Sequence, residues 1–163
     1  MKKTISIESV LRVLEEHNVD YAVIGGVAVV LHGYVRFTKD IDLLIDFTHE
    51  NVARFVKVLS VLNFVPGVPI DPMAMADERK RAAWMREKNV KVITFYNPES
   101  PLLQIDVLIT KNLADLKKSS KRIGDLVVSV ISYDDLLRMK KETSRPTDLI
   151  DIEKLEELKR MAK

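Results

Sequence analysis

Tyr21-Ala22-Val23-Ile24-Gly25-Gly26 and, one spacer later, Asp40-Ile41-Asp42-Leu43-Leu44-Ile45 are the stretches of this 163-residue chain that decide its fold. Tyr21 to Ile24 reads as a short buried strand that Gly25-Gly26 breaks, and the apolar run 27–31 predicts a short helix closing at Gly33. Backbone N–H groups at such a strand-to-helix turn can cradle a phosphate, and the missing side chains let the chain approach it closely; a plain tight turn would use the same two residues. In Asp40-Ile41-Asp42 the period of a strand puts both carboxylates on one face, with attachment points about 7 Å apart. Like charges so placed repel, and on a packed strand each needs a cation or hydrogen bonds. A hard divalent ion supplies the first; an edge strand facing solvent would need neither.

Working outward, Ser6 caps a first helix in which Ile7, Val10, Leu11 and Leu14 recur at helical spacing, ending near His17-Asn18. A long helix follows the acid strand from about Thr48, with Val52, Phe55, Val56, Leu59 and Leu62 on one face. Residues 66–72 form a loop, and Pro72 opens one helix through Met75, Ala76, Ala83 and Trp84. Further strands are predicted at 90–95, 102–109 and 126–131, the first two joined by the turn Asn97-Pro98-Glu99-Ser100-Pro101. Ser132 caps a helix through Leu136, Leu137 and Met139, with Asp135 at the acid position of a capping box. Pro146 opens a last polar helix whose apolar face runs through Leu149, Ile152, Leu155 and Leu158. The expected fold is α/β (α+β): a small mixed β-sheet carrying acidic residues, flanked by helices. No repeat or linker appears, so residues 1–163 are read as one domain with a helical C-terminal part from about 132.

Asp106 lies within Leu102-Leu103-Gln104-Ile105-Asp106-Val107-Leu108-Ile109, a run so apolar that its centre should be buried, where an ionised Asp is rare unless paired or metal-bound. If the two acid strands are neighbours, Asp40, Asp42 and Asp106 can converge on magnesium, which prefers oxygen ligands and takes one or two carboxylates plus phosphate oxygens. A hydrogen-bonded core aspartate is the alternative for Asp106. Arg36, Thr38 and Lys39 precede the acid strand and either contact phosphate or form a charged loop. Arg79, Lys80, Arg81, Arg86 and Lys88 make one helix strongly basic, and Lys117, Lys118, Lys121 and Arg122 form a second cluster; each is an acidic-acceptor surface or a solvated face. His32, among apolar neighbours, reads as a packed histidine.

Composition narrows the chemistry. The chain has no cysteine, which excludes disulfides, zinc ribbons, iron–sulfur sites and thiol catalysis, so any metal must use oxygen or imidazole ligands. A net charge of +2 is too small to imply a nucleic-acid partner by itself. No apolar run approaches the roughly 20 residues that cross a bilayer, so no membrane association is expected. Met1-Lys2-Lys3 is followed by Ser6, Glu8 and Ser9 rather than an apolar stretch, which argues against a signal peptide and for the cytoplasm.

The glycine pair after an apolar strand, the alternating pair Asp40 and Asp42, and Asp106 in its own apolar strand together resemble the signature of the DNA polymerase beta-type nucleotidyltransferase superfamily. Residues 28–43, with His32-Gly33 and Arg36-Phe37-Thr38-Lys39-Asp40-Ile41-Asp42, and residues 132–158, with Arg145-Pro146-Thr147-Asp148-Leu149-Ile150-Asp151, resemble small nucleotidyltransferase-like proteins related to abortive-infection (AbiEii-like) toxins. The resemblance implies transfer of a nucleoside monophosphate from a nucleoside triphosphate, ATP among them, to a hydroxyl acceptor: an RNA end, a protein or a small molecule. It implies that Asp40 and Asp42 hold one or two Mg2+ ions and that Gly25 and Gly26, aided by Arg36, Thr38 and Lys39, bind the triphosphate. Asp106 completes the metal site beside the attacking group. It also implies a possible toxin role with an antitoxin protein as partner. Two other classes stay open: a catalytically silent nucleotide-binding or toxin-antitoxin interaction protein, and a nucleic-acid-binding module resting on the basic clusters.

Overall fold

The computed structural model describes residues 5–162; Met1-Lys2-Lys3, on which the reading of the N-terminus turns, lies outside them. Ser6 caps helix α1 (Ile7–Glu16) by accepting the Ser9 amide while the Ser9 hydroxyl accepts the Ser6 amide. The helix buries Val10, Leu11 and Leu14. Strand β1 (Tyr21–Ile24) is buried throughout and passes directly into helix α2 (Gly25–Leu31), so the glycine pair forms the first turn of the helix rather than a loop before it. Strand β2 (Asp40–Ile45) and helix α3 (His49–Leu62) follow as expected, the helix capped by Thr48.

The predicted helix from Pro72 is two pieces: a 3₁₀ turn, Pro72–Ala76, and helix α4 (Glu78–Lys88). Asp77 separates them because its carboxylate accepts the amides of Arg79 and Lys80, making it a new N-cap. Strands β4 (Val92–Asn97) and β5 (Ser100–Leu108) form a hairpin tighter than expected, with Ser100 and Pro101 inside the second strand. Two strands escaped the sequence reading: β3 (Val65–Pro66), only two residues long, and β6 (Lys118–Ile123), whose charged alternation read as a basic patch. Lysines suit β6 because it is an outer strand, where charge discourages pairing with another chain. Strand β7 (Leu126–Ile131) then leads into helices α5 (Tyr133–Thr143) and α6 (Pro146–Met161).

The seven strands form one mixed sheet in the order β3-β4-β5-β2-β1-β7-β6. β2 with β5 and β1 with β7 are parallel, and the other neighbours are antiparallel. Alternate residues bury one face: Ile93, Phe95, Leu103, Ile105 and Val107 are all buried. α3 covers that face, with Phe55 edge-on to Phe95 at 5.9 Å; each such fully buried aromatic contributes about 1.5–3 kcal/mol of burial. α2 lies against β2 on the other face, and α5 packs on both α2 and α6.

Two expectations about the C-terminal helices are corrected. Asp135 does not return a capping bond to Ser132; its carboxylate accepts the Lys117 amide at 2.7 Å and the Arg138 guanidinium, tying the entry to β6 to α5. The face that α6 buries carries Asp148, Asp151 and Leu155, whereas Leu149 and Leu158 are exposed. Apolar periodicity misplaced this face because ion pairs, not apolar contacts, hold half of it.

Candidate active site

Ile24 pairs with Asp42 across the antiparallel β1–β2 ladder, so the junction of β1 and α2 stands against the second acid of β2. Gly25 is left-handed there, with φ of +65°, and a Cβ at this position would collide with the Asp42 carboxylate. A Cβ on Gly26 would stand 2.7 Å from the Thr38 hydroxyl oxygen. Both positions therefore require glycine: one for its conformation and the near approach of Asp42, the other for the near approach of the chain that leads into β2.

β2 and β5 run parallel with Asp42 opposite Asp106 and Asp40 opposite Gln104. Paired residues share a face, so all three acids lie on the face opposite the Phe95 core. Thr94 on β4, opposite Asp106, donates its hydroxyl to Asp106 Oδ1 at 2.6 Å. Burial pushes the Asp42 carboxyl up to about 6, reinforced by the charges of Asp106 and Asp40 and only partly opposed by Lys140. Asp40 is raised as well, again by burial first and Asp106 second. Its Oδ1 is buried with no hydrogen-bond partner among the described residues. The site thus concentrates negative charge that the protein itself leaves incompletely balanced.

That donor set suits a hard cation in one particular way. Among the described residues no three acidic or imidazole groups are gathered as a ready-made metal cage. Magnesium does not ask for one: it keeps several waters and is held by one or two carboxylates together with substrate phosphates. The orphaned Asp40 oxygen, the raised Asp42 carboxyl and the glycine cradle fit an ion that arrives with a phosphate ligand.

The rest of the lining comes from the α5–α6 junction and is a network of ion pairs. A cavity of about 340 Å³ lies between Gly25, Gly26, residues 36–40 and Asp42 on one side and Lys140, Arg145, Thr147 and Asp148 on the other. Lys140 is 6% exposed and bridges Asp148 and Asp151 at 3.1 and 3.0 Å. Burial alone would raise the Asp148 carboxyl, but hydrogen bonds from Arg145, Thr143 and Lys140 outweigh it and hold the group well below the usual carboxylate range. Lys140 was not singled out in the sequence; the motif around Arg145 and Asp148 was noticed only as a likeness, since nothing local shows that a polar helix end folds back onto a strand so far upstream.

The structure brings Gly25, Gly26, Arg36, Thr38, Lys39, Asp40 and Asp42 together around this cavity, with Asp106 beside Asp42 on the neighbouring strand. Arg36 is committed elsewhere: its guanidinium grips Asp151 of α6 through two bonds of 2.8 and 2.9 Å. It therefore fixes α6 to the segment before β2, and only secondarily faces the cavity. α4 contributes nothing to the cavity wall. Its Arg81 is held by the Met75 carbonyl and lies 4.2 Å over the Phe47 ring. His32 is the packed histidine expected, bonded to the Ile131 carbonyl at 2.7 Å.

No protein-family model matches the chain, and no curated protein matches its sequence. Solved structures do. The lincosamide antibiotic adenylyltransferase LnuA, bound to lincomycin, superposes with a TM-score of 0.63 at 18% identity, over 94% of this chain and 98% of that one. The antibiotic-resistance factor ANT(2'')-Ia gives 0.59 at 16%, over 91% and 79%. An antigenic nucleotidyltransferase-like protein from Paracoccidioides brasiliensis gives 0.56 at 20%, over 96% and 79%. The mixed sheet, flanked by six helices among the described residues, is therefore a nucleotidyltransferase-like fold.

Proposed function

We propose that this chain, acting as one domain, is a magnesium-dependent nucleotidyltransferase that moves a nucleoside monophosphate from a nucleoside triphosphate, such as ATP, to a hydroxyl acceptor. The observation that carries the reading is the left-handed Gly25 pressed against Asp42, with Asp106 paired to Asp42 on the next strand. That arrangement gives phosphate-sized access to backbone amides beside a charge cluster that calls for a cation. The fold it shares with antibiotic adenylyltransferases supports the same reading.

In this mechanism the amides of Gly25 and Gly26 and the side chains of Thr38 and Lys39 receive the triphosphate. Arg145, whose side chain stands largely exposed at the far wall, offsets phosphate charge, while Lys140 holds Asp148 and Asp151. Asp40 and Asp42 would hold magnesium, with Asp106 completing the set. The ion, when bound, stabilises the entering and leaving oxygens and lowers the pKa of the acceptor hydroxyl. The acceptor oxygen attacks the α-phosphorus, the bond from that phosphorus to the bridging oxygen breaks, and pyrophosphate leaves with the electron pair. Asp106, whose carboxylate accepts the Thr94 hydroxyl, would take the proton that the acceptor gives up.

The test is transfer of α-labelled nucleotide from each triphosphate to lincomycin, tobramycin, pooled RNA and protein. Label on any acceptor, abolished by Asp42→Asn and by chelating magnesium, is the expected result. Triphosphate that binds without magnesium and is never cleaved would favour the silent nucleotide-binding protein instead.

A further inference from the structure

Thr94 on β4 pairs with Asp106 on β5, Asp106 with Asp42 on β2, and Asp42 with Ile24, from which the chain turns into Gly25. One row across four strands therefore carries a hydroxyl, two carboxylates and the entry to the glycine turn. The Thr94 hydroxyl reaches Asp106 Oδ1 at 2.6 Å, the length of a charge-assisted bond. Among the described residues, no other hydroxyl, amide or cationic side chain donates to any of the three carboxylates, and Asp40 Oδ1 is buried without a partner. Thr94 is itself braced from behind. Its carbonyl accepts, at 2.8 Å, the amide of Gly67, the residue that follows the short outer strand β3.

We infer that Thr94 is a positioning residue of the proposed transferase: its hydroxyl turns the Asp106 carboxylate so that Oδ2 is presented on the Asp42 side, as a ligand for the ion. The inference rests on the nucleotidyl-transfer reading and adds a residue that acts only through Asp106. β4 and β2 flank β5 on opposite sides. With Oδ1 drawn toward β4 by Thr94, Oδ2 is left on the side of β2 and Asp42. A hydroxyl has one hydrogen to give, so it occupies one oxygen and leaves the other free. It also fixes the carboxylate without bringing a positive charge that would compete with a cation, as Lys or Arg at this position would. Carboxylates that ligate metals are commonly held by such hydrogen bonds, and the partner's loss weakens the metal site although the ligand itself remains. A cross-strand contact made only for sheet stability would act through shape and would be indifferent to the charge on Asp106.

The experiment measures binding of the Mn2+ complex of a non-hydrolysable ATP analogue to the full chain, read from water proton relaxation rather than from turnover. The parent should bind the complex and Asp42→Asn should not; if the parent fails to bind, or Asp42→Asn binds equally well, the transferase reading fails and this inference with it. Given that response, Thr94→Val, which keeps the branched shape but lacks the hydroxyl, should weaken binding about tenfold, the lower end of what losing a partner behind a metal ligand costs. Thr94→Ser, which restores the hydroxyl in a smaller side chain, should recover most of the affinity. Asp106→Asn supplies the second background: there Thr94→Val should cost nothing further, because the group it positions no longer carries the charge. Equal binding by the parent and Thr94→Val, a Thr94→Ser chain as weak as Thr94→Val, or the full tenfold loss repeated in the Asp106→Asn chain would overturn the assignment of Thr94 and leave the nucleotide site intact.

Discussion

Gly25 is the residue on which the site depends most sharply. Its φ of +65° and the absence of a Cβ together admit the Asp42 carboxylate. Gly25→Ala should lower stability by about 1–2 kcal/mol from the left-handed conformation alone, more once Asp42 is displaced, and should abolish the thermal shift caused by magnesium and nucleotide. Chemical denaturation and a ligand-shift assay read the two effects separately. The titration of Asp42 has its own sign. Because its folded pKa of about 6 lies above the ordinary 3.8, the folded chain binds more protons than the unfolded one between these values. Apo stability should therefore fall as pH rises from about 4 to about 6, and Asp42→Asn should flatten that fall. Asp148 behaves oppositely: its depressed carboxyl stabilises the fold above the ordinary pKa, and that contribution is lost as pH drops below about 4.

At the scale of elements, α6 is attached to the sheet domain by charge more than by apolar contact. Asp151 is wholly buried and receives two bonds from Arg36 and one from Lys140. Removing one partner of a buried pair strands the other, so Asp151→Ala should destabilise the chain by about 3–5 kcal/mol. A loss below 1 kcal/mol in equilibrium unfolding would show that α6 is held by other means. The same helix marks the limit of what the sequence disclosed. α1 and α3 were legible because each has an apolar helical period behind a capping Ser6 or Thr48, β1 because its apolar run stops at Gly25, and β2 because its aspartates alternate with apolar residues. α6 has a clear start at Pro146, but its buried face is acidic, and hydrophobic periodicity cannot see a face paid for by Arg36 and Lys140 from distant segments. β6 was hidden for a related reason: an edge strand needs little apolar surface, so Lys118-Ser119-Ser120-Lys121 reads as a solvated run. The split at Asp77 turned on a cap that is visible only when Asp is weighed against an otherwise helical stretch.

Across the whole molecule, the fold joins three remote parts of the chain at one cavity: the β1–α2 turn, β2 with the segment that leads into it, and the α5–α6 junction. The glycines and the acids were legible in sequence because glycine pairs and alternating aspartates are conspicuous in apolar surroundings. Lys140 was not, and Arg145 and Thr147 stood out only within a likeness, since their place at the cavity depends on a long-range packing of α5 against α2. The central claim is that Asp42 belongs to a site for a magnesium-bound nucleotide, and its cost in the absence of ligand is measurable. Raising its pKa from 3.8 to about 6 corresponds to roughly 3 kcal/mol opposing the ionised form at neutral pH. The most direct measurement is thermal unfolding at pH 7 of the parent and Asp42→Asn, each with and without magnesium and a nucleoside triphosphate. The parent should gain about 2.7 kcal/mol at one hundred times the ligand's dissociation constant; the variant should be as stable as the parent or more so when apo, and should lose most of that gain. A strongly destabilised apo variant, or one with an undiminished ligand shift, would contradict the account.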